Sequence, residues 1–410
     1  MAQVTTDVLD SLYSTLARRV PVSGQQAGPM SQPVGADRIS FAGGLPDPKS
    51  LPAAAIAAAT ARAMEKNGEW ALQYGSAQGY RGLIDQLRAK LARDNGVEVG
   101  PENVLITAGA SQAIDLVCDA LLNPGDVIVS EEPTWMGAVR MFNGHEAKIV
   151  GIPMDNEGMR LDVLEARLAA LKAEGVQPKF IYTIPTFQNP TGVTTPLERR
   201  RGILALAKQY GVAVMEDDAY FDLRFSGTRI PMMYTLDDAG LVIYTGTFSK
   251  IMAAGMRMGW VVGPAPLIER LAKIKPDGGN MFTGYVAAEY AQAELEPHIA
   301  ELVQVYRSRR DAMIDALTAE MPEGVTWTQP NGGFFLWVTL PEGLDATQIL
   351  PESRAHGVEF LPGTGCYFNG EGQRNIRLSY SFADEDQIRR GIRILGGLLR
   401  EYLPQGAGSK

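Results

Sequence analysis

One run of the sequence, from Thr247 to Trp260, gathers hydroxyl groups, a lysine and an arginine within a short stretch. It follows an apolar segment, Leu241 to Tyr244, that is typical of a buried strand. Lys250 in such a place can be held away from water, and desolvation together with cationic neighbours lowers the pKa of an amine. An amine with a lowered pKa can form an imine with a carbonyl group. Arg257 and Ser249 can bind an anion beside it, although a solvated loop would also explain these residues.

A second candidate site is the turn that follows the segment Asn103 to Ala108. Gly109, Ser111 and Gln112 stand where a helix begins, and small residues at a helix N-terminus leave backbone N–H groups free to bind a phosphate. Ser111 also fits a plain helix N-cap. The turn alone therefore leaves both interpretations open.

Three further strand ends carry polar or aromatic residues. The loop from Pro185 to Gly192 is fixed by prolines and a glycine, and it can aim the Asn189 amide at an oxygen atom. Asp217 comes directly after an apolar segment, and a buried carboxylate there needs a cationic partner such as a protonated pyridine nitrogen. Trp135 offers a plane on which a flat ring can stack, although a lone tryptophan is more often core packing.

Short apolar segments and longer segments with helical periodicity alternate through the first two thirds of the chain. The predicted strands are Asn103 to Ala108, Asp126 to Val129, Lys179 to Ile184, Val212 to Glu216 and Leu241 to Tyr244. The predicted helices are Ser111 to Leu122, Leu161 to Leu171, Leu197 to Tyr210 and Leu267 to Lys275. This alternation indicates an α/β domain with a mostly parallel central sheet flanked by helices, and functional residues are expected at the strand ends.

The last third of the sequence has a different order of elements. A long helix from Pro297 through Arg310 leads to a strand at Gly332 to Val338, and a helix from Glu385 ends the chain. Short strands are predicted around Val358 and Ile376. We expect an N-terminal helix, Asp7 to Arg19, and an arm within residues 1–35, a large domain over residues 36–295, and a smaller α+β domain over residues 296–410 that packs with the N-terminal segment.

Composition excludes several classes of function. The 410 residues carry a net charge of -9, which argues against a nucleic-acid partner. Two distant cysteines, Cys118 and Cys366, and three unpaired histidines give no metal-binding spacing. The sequence has no apolar run of membrane-spanning length and no hydrophobic signal core at its start, so we expect a cytoplasmic protein without a membrane partner.

Together these residues have the composition of a pyridoxal phosphate site: an imine-forming lysine, an aspartate for the ring nitrogen, phosphate donors and an aromatic stacker. In order and spacing the chain resembles the fold-type-I, class I/II aminotransferases, in the branch of 2-aminoadipate, kynurenine and aromatic aminotransferases. The matching motifs are Ile39 to Pro48, Leu72 to Gly75 with Gly79-Tyr80, Ile106 to Gln112, Gln188 to Gly192, Glu216 to Tyr220, the Lys250 run and Asn375 to Ser381. They span nearly the whole chain.

The resemblance implies a role for each matching residue, and Lys250, Asp217 and Tyr220 are its catalytic residues. Lys250 would form the imine and carry the proton, and Asp217 would pair with the pyridinium nitrogen. Asn189 and Tyr220 would hydrogen-bond the phenolate oxygen. Phosphate binding would fall to Ser111, Gln112, Ser249 and Arg257, and to Tyr74 from the other subunit of a homodimer. Arg377 would clamp the α-carboxylate, while Gly44 would let the backbone approach the substrate.

The implied reaction moves the amino group of an aromatic, aliphatic or 2-aminoadipate-like L-α-amino acid to a 2-oxo acid such as 2-oxoglutarate, in two half-reactions. A lyase, a decarboxylase or a cyclising synthase with the same cofactor would share every residue named, and a non-enzymatic regulator domain is a further alternative. Trp135 departs from the family, where the stacking residue is usually tyrosine. The departure leaves the chemistry intact and puts the choice of substrate in doubt.

Overall fold

The structure is a computed structural model that describes residues 11–19, 38–276 and 278–403. Its helices are α1 (Thr15–Arg19), α2 (Ala53–Ala71), α3 (Arg81–Asn95), α4 (Ala110–Leu121), α5 (Met136–Gly144), α6 (Leu161–Ala173), α7 (Leu197–Tyr210), α8 (Met233–Leu236), α9 (Ala265–Ile274), α10 (Met281–Ala293), α11 (Leu295–Glu320), α12 (Ala346–Ala355) and α13 (Glu385–Tyr402). Its strands are β1 (Ile39–Ser40), β2 (Val104–Thr107), β3 (Val127–Glu132), β4 (Lys148–Asp155), β5 (Gly158–Met159), β6 (Phe180–Thr183), β7 (Ala213–Asp217), β8 (Val242–Thr247), β9 (Gly259–Val262), β10 (Thr326–Trp327), β11 (Phe335–Thr339), β12 (Val358–Glu359), β13 (Leu361–Pro362) and β14 (Asn375–Ser379).

The large sheet has the strand order β2-β9-β8-β7-β6-β3-β4-β5. The four pairs from β4 to β8 are parallel, while β9 is antiparallel to both β8 and β2. Strands β2, β6 and β8 are buried along their whole length because apolar layers cover both faces of the sheet. Since β3, β6, β7 and β8 run in one direction, their carboxyl ends meet at one edge. This edge carries the residues that the sequence singled out.

A smaller sheet in the C-terminal part has the order β10-β11-β14-β13 and is entirely antiparallel. Helix α13 begins at a capping box between Asp384 and Gln387 and packs on the long helix α11, and buried apolar residues of both helices and of this sheet belong to one core cluster. Strand β1 joins this part of the chain, because it pairs with β12 through Ile39 and Val358. These two strands form a separate two-stranded sheet.

The predicted fold class is confirmed, and most of the predicted strands and helices match the structure to within a few residues. The long helix predicted from Pro297 through Arg310 is longer than expected, because α11 continues to Glu320. The predicted helix from Asp7 to Arg19 differs: α1 covers only its end, Tyr13 and Ser14 are not helical, and its first residues lie outside the described part. Most of the predicted arm, residues 20–35, also lies outside the described residues. The proposed domain limits stay a prediction. In the described part, no helix is long and apolar enough to cross a membrane.

A buried ion pair fixes the segment that leads from β1 to α2. Asp47 and Arg309 of α11 are each about 4% exposed, and Nη2 of Arg309 lies 3.2 Å from Oδ2 of Asp47. Arg309 also donates from Nη1 to the carbonyl oxygen of Ser381, and the N–H of Asp47 donates to the Tyr306 hydroxyl. The pair therefore anchors the Gly43-Gly44 segment to the small domain.

Replacing Arg309 with methionine keeps the apolar stem and leaves the Asp47 carboxylate buried without its cation. We expect the free energy of unfolding of Arg309→Met to fall by about 3–5 kcal/mol, measured by urea denaturation at neutral pH. The matched control is Arg389→Met, which removes an exposed ion pair to Asp386 and should cost less than about 1 kcal/mol. Equal losses in the two variants would contradict this account.

Candidate functional site

Lys250 lies in a short 3-10 turn, Phe248–Lys250, directly after β8. Its Nζ donates to the carbonyl oxygen of Gly44 at 2.9 Å and lies 5.6 Å from the centre of the Phe334 ring. Burial lowers the pKa of Lys250 to about 8, and the positive charges of Arg377 and Arg257 act in the same direction. The neutral amine that a nucleophile requires is therefore reached at lower pH than in an ordinary lysine.

Asp217 ends β7 and is 4% exposed. Its Oδ2 accepts a hydrogen bond from the Tyr182 hydroxyl at 2.7 Å, and Thr245 approaches Oδ1 at 3.5 Å. Burial raises the pKa of Asp217 to about 6 in spite of these donors. No cationic side chain of the described residues forms an ion pair with it, so the carboxylate is suited to a cation from outside the chain.

Arg377 is the opposite case, a buried guanidinium without a carboxylate partner among the described residues. It lies on β14, stacks over the Phe335 ring at 4.2 Å, and donates from Nη1 to Oδ1 of Asn189 at 2.9 Å and from Nη2 to the carbonyl oxygen of Ala42. Its Nε atom is buried and makes no hydrogen bond. Burial lowers the pKa of Arg377, so an anion bound here would relieve an uncompensated charge.

Tyr220 and Asn189 complete this side of the site. Tyr220 packs on the rings of Phe334 and Phe335, and burial raises the pKa of its hydroxyl. The pKa also responds to the charges of Arg377 and Asp217, so Tyr220 lies near both. Because Oδ1 of Asn189 already accepts from Arg377, its Nδ2 group remains as a donor, and the structure gives that group no partner within the described residues.

The loop between β8 and β9 brings the predicted phosphate ligands together. Thr107 and Thr247 both pair with Gly259, so the end of β2 adjoins the Lys250 loop. Arg257 donates from Nη2 to the carbonyl oxygen of Ala108, and a Cβ placed on Gly109 would lie 2.6 Å from that nitrogen. The guanidinium therefore lies directly over the N-terminus of α4, where backbone dipoles also favour an anion.

Ser111 and Gln112 lie in the first turn of α4, and Ser249 lies 2.9 Å from the Thr247 hydroxyl. The alternative in which Ser111 is a plain N-cap is wrong, because the N-cap is Gly109 and no side chain caps the helix. Ser111 is exposed, so its hydroxyl is available to a ligand. Gln112 instead accepts the N–H of Ala108 and helps shape the turn.

Two predicted residues, Trp135 and Tyr74, make no hydrogen bond to this group within the described residues, and their roles stay predictions. Trp135 precedes α5 and packs beside the apolar cluster that contains Tyr182, the partner of Asp217. Tyr74 is 96% exposed, and Trp70 and Leu72 beside it are 66% and 70% exposed. The structure therefore does not bring Tyr74 into the site of its own chain.

Sequence reasoning missed the residues that support the predicted ones. Tyr182 and Thr245 contact Asp217 across neighbouring strands, and Glu131 and Gln188 lie beneath the Asn189 loop. The only sequence indication was the pair Gln188-Asn189 in the centre of a proline-rich loop, because the other contacts depend on strand register. In the described part, no cluster of acidic, histidine or cysteine side chains could hold a metal ion.

Comparison with known proteins decides the family. The family model for "Aminotransferase class I and II" matches residues 39–395. The chain belongs to this aminotransferase family. It is similar to an aromatic-amino-acid aminotransferase of Thermococcus litoralis, with 40% identity over 90% of this chain and 89% of the relative.

Two solved structures are similar along nearly their whole length. The kynurenine aminotransferase of Pyrococcus horikoshii, solved in complex with PMP, has a TM-score of 0.91 at 40% identity, covering 96% of this chain and 98% of that one. The α-aminoadipate aminotransferase of Thermus thermophilus, complexed with N-(5'-phosphopyridoxyl)-L-leucine, has a TM-score of 0.85 at 35% identity with the same coverage. The cofactor of this aminotransferase is pyridoxal phosphate, and the unmatched Asp217 carboxylate and the Arg257 cradle fit its ring nitrogen and phosphate.

The lowered pKa of Lys250 gives a pH prediction. A lysine whose pKa is lowered to about 8 is charged below that pH, so the rate at which the apoenzyme combines with pyridoxal phosphate should rise with pH and level off above about 8. In Arg377→Met the midpoint should move to higher pH, because a cationic neighbour is removed. Stopped-flow absorbance measures both midpoints.

The control is Arg374→Met, which removes a more exposed guanidinium that precedes the same strand. It should leave the midpoint in place. A midpoint in Arg377→Met that stays unchanged or moves to lower pH would contradict the electrostatic explanation.

Proposed function

We propose that this aminotransferase transfers the amino group of an aromatic, aliphatic or 2-aminoadipate-like L-α-amino acid to 2-oxoglutarate. The observation that carries the proposal is a desolvated lysine beside the buried guanidinium of Arg377 and at the same sheet edge as the buried carboxylate of Asp217. Among the described residues neither of these two charges has an ion-pair partner. A cofactor with a protonated ring nitrogen matches the carboxylate of Asp217, and the α-carboxylate of an amino acid matches the guanidinium of Arg377. The range of donors is supported by the relatives, which are aromatic-amino-acid, kynurenine and α-aminoadipate aminotransferases.

Pyridoxal phosphate, when bound, supplies an electron sink for the bond between Cα of the substrate and its hydrogen. Asp217, Asn189 and Tyr220 orient it, with Asp217 ionised beside the ring nitrogen and the other two as hydrogen-bond donors. Arg257, Ser249, Ser111 and Gln112 would bind the phosphate.

Arg377 binds and orients the substrate. Two of its five N–H groups are used by Asn189 and Ala42, which leaves the others for the carboxylate oxygens. Lys250, neutral after losing its proton, then takes the proton from Cα. Its hydrogen bond to the carbonyl oxygen of Gly44 brings the backbone at this glycine next to the reacting amine. Asn189 links the binding of the cofactor to the binding of the substrate, because it contacts Arg377 directly.

Lys250→Ala tests the assignment of the reacting residue. We expect the variant to lose transamination by at least about 10²–10⁴-fold and to lose the absorption band that the covalently bound cofactor gives the wild-type protein. Lys273→Ala, which removes an exposed lysine of α9 paired with Glu269, should leave both unchanged. An amino-donor panel with 2-oxoglutarate, scored by the keto product, identifies the substrate. Normal turnover in Lys250→Ala would refute the mechanism.

We further propose a homodimer whose partner subunit supplies Tyr74 to the phosphate. Support comes from the exposed apolar patch of Trp70, Leu72 and Tyr74, which lies at the end of α2. Large aromatic side chains with so much exposed area favour a protein interface. Nearby, a cavity of about 70 Å³ lies between Arg257, Gln112 and Asn280. A cytoplasmic location stays a prediction.

Mixing variants tests the shared site. Lys250→Ala and Tyr74→Ala homodimers should each be impaired, and a mixed dimer would contain one site with both residues intact. We therefore expect activity to recover after the two variants are unfolded and refolded together, up to about one quarter of wild type if exchange is random and the second site stays inactive. Tyr402→Ala, an exposed tyrosine at the end of α13, is the control for Tyr74→Ala. A monomer in sedimentation, or no recovery despite demonstrated mixing, would contradict the proposal.

A further inference from the structure

Glu131 is a fully buried carboxylate that has no role in the proposed reaction. It lies near the end of β3 and accepts hydrogen bonds from Oγ1 of Thr183 at 2.8 Å, the N–H of Ile184 at 2.9 Å and Nε2 of Gln188 at 3.0 Å. All three donors belong to the end of β6 and to the loop that follows it. Glu131 forms no ion pair within the described part of the chain, so its neighbours hold it by hydrogen bonds alone.

Gln188 uses the whole capacity of its side-chain amide. Nε2 donates to Glu131 and, at 2.8 Å, to the carbonyl oxygen of Pro133, while Oε1 accepts the N–H of Thr191 at 2.8 Å and the Thr191 hydroxyl at 2.7 Å. The side chain is 1% exposed. A buried amide with four hydrogen bonds has one low-energy placement, because any shift leaves a polar group unpaired.

These bonds join two loops that are distant in sequence. Pro133 belongs to the loop that carries Trp135, and Gln188 precedes Asn189, whose Oδ1 contacts Arg377. Because Gln188 is hydrogen-bonded to Glu131 of β3, strand β3 helps to fix the position of Asn189. Because Asn189 accepts from Arg377, β3 also helps to fix the Arg377 guanidinium. We propose that Glu131 and Gln188 are positioning residues that hold the Asn189 loop against the Trp135 loop and so set the geometry of the cofactor and carboxylate sites. This inference rests on the proposed function of the same site.

The hydrogen bonds that Glu131 accepts require a carboxyl oxygen and do not require a negative charge. Burial raises the pKa of Glu131 to about 7, so near neutral pH the group is partly protonated and still offers Oε1 to Ile184 and Gln188. A glutamine at this position keeps that oxygen, and its amide group can donate to the Thr183 hydroxyl. Glu131→Gln is therefore the conservative variant, while Glu131→Leu removes the acceptor.

The main test is Gln188→Met, which keeps the length of the side chain and removes all four hydrogen bonds. Two measurements are made on the purified protein: the dissociation constant of the apoenzyme for pyridoxal phosphate, and the pH midpoint of the visible absorbance of the bound cofactor. We expect the dissociation constant to rise at least about tenfold. The midpoint should move to higher pH, because Asn189 no longer stabilises the ionised phenolate oxygen. Glu131→Leu should behave in the same way, and Glu131→Gln should stay within about twofold of wild type.

The matched control is Gln177→Met, the same substitution before the other end of β6. The Gln177 amide also donates to backbone carbonyls, those of Tyr210 and Gly211, but it is remote from both loops. It should leave both measurements at wild-type values. If Gln188→Met does not fold, Thr191→Val decides, because it removes the hydroxyl donor to Gln188, together with a longer bond from the N–H of Val193, and leaves the other three hydrogen bonds of Gln188 in place. It should shift both measurements less far in the same direction.

The inference is overturned if Gln188→Met, or Thr191→Val in its place, keeps the wild-type constant and midpoint, or if Gln177→Met shifts them equally. If Glu131→Leu keeps the wild-type constant and midpoint, Glu131 is not a positioning residue. These outcomes differ from failure of the proposed function, which would appear as a wild-type chain that shows no absorption band with pyridoxal phosphate and no transamination.

Discussion

The site depends on burying charged groups that no side chain of the described residues neutralises. Asp217 has no cationic partner and Arg377 no carboxylate partner within that part of the chain, and Lys250 is desolvated near Arg377 and Arg257, so burial makes each ionised group less favourable than it is in water. A ligand that brings the complementary charges relieves all of these penalties together. Binding energy is thereby linked to the protonation states that the reaction needs, at the expense of stability in the unliganded protein.

Each of the two sheets holds some of those charged groups. The large sheet provides rigid strand ends for Asp217 and Lys250, and the small sheet provides Arg377 in register with Trp337 and Leu361 on its neighbours. Contact between the two parts runs through short segments, in particular Gly44 against Lys250 and Asn189 against Arg377. A Cβ on Gly44 would lie 2.6 Å from the Phe335 ring, so the close approach at this point requires glycine. The anchored segment around Asp47 keeps that glycine in place.

The alternating strands and helices were predictable because strands buried on both faces appear as continuous apolar runs. Strand β4 was not predicted, since most of its residues are exposed or only partly buried, and β9 was not recognised because it begins inside the lysine run. The order and spacing of the motifs predicted Lys250, Asp217, Asn189 and Arg257, whose chemistry is visible in residue type. Tyr182 and Glu131 were not predictable, because their contacts arise only when β3, β6 and β7 are paired in a particular register.

The antiparallel strand β9 explains why one stretch of sequence holds so much of the site. Because the chain turns back after Lys250 and pairs β9 with both β8 and β2, the loop that carries the lysine lies beside the turn that begins α4. Arg257 takes a left-handed backbone conformation, with φ of 50°, where the loop closes over Gly109. Such a conformation is costly for an arginine and is retained where the surrounding structure requires it. Lys250 and Arg257 are therefore positioned by one hairpin. The apolar surroundings of Arg377 are formed instead by Trp337 and Leu361 of the other sheet and by Cys366 in the 3-10 turn after β13. Because these surroundings and the hairpin belong to different sheets, a substitution around Arg377 can leave the hairpin in place.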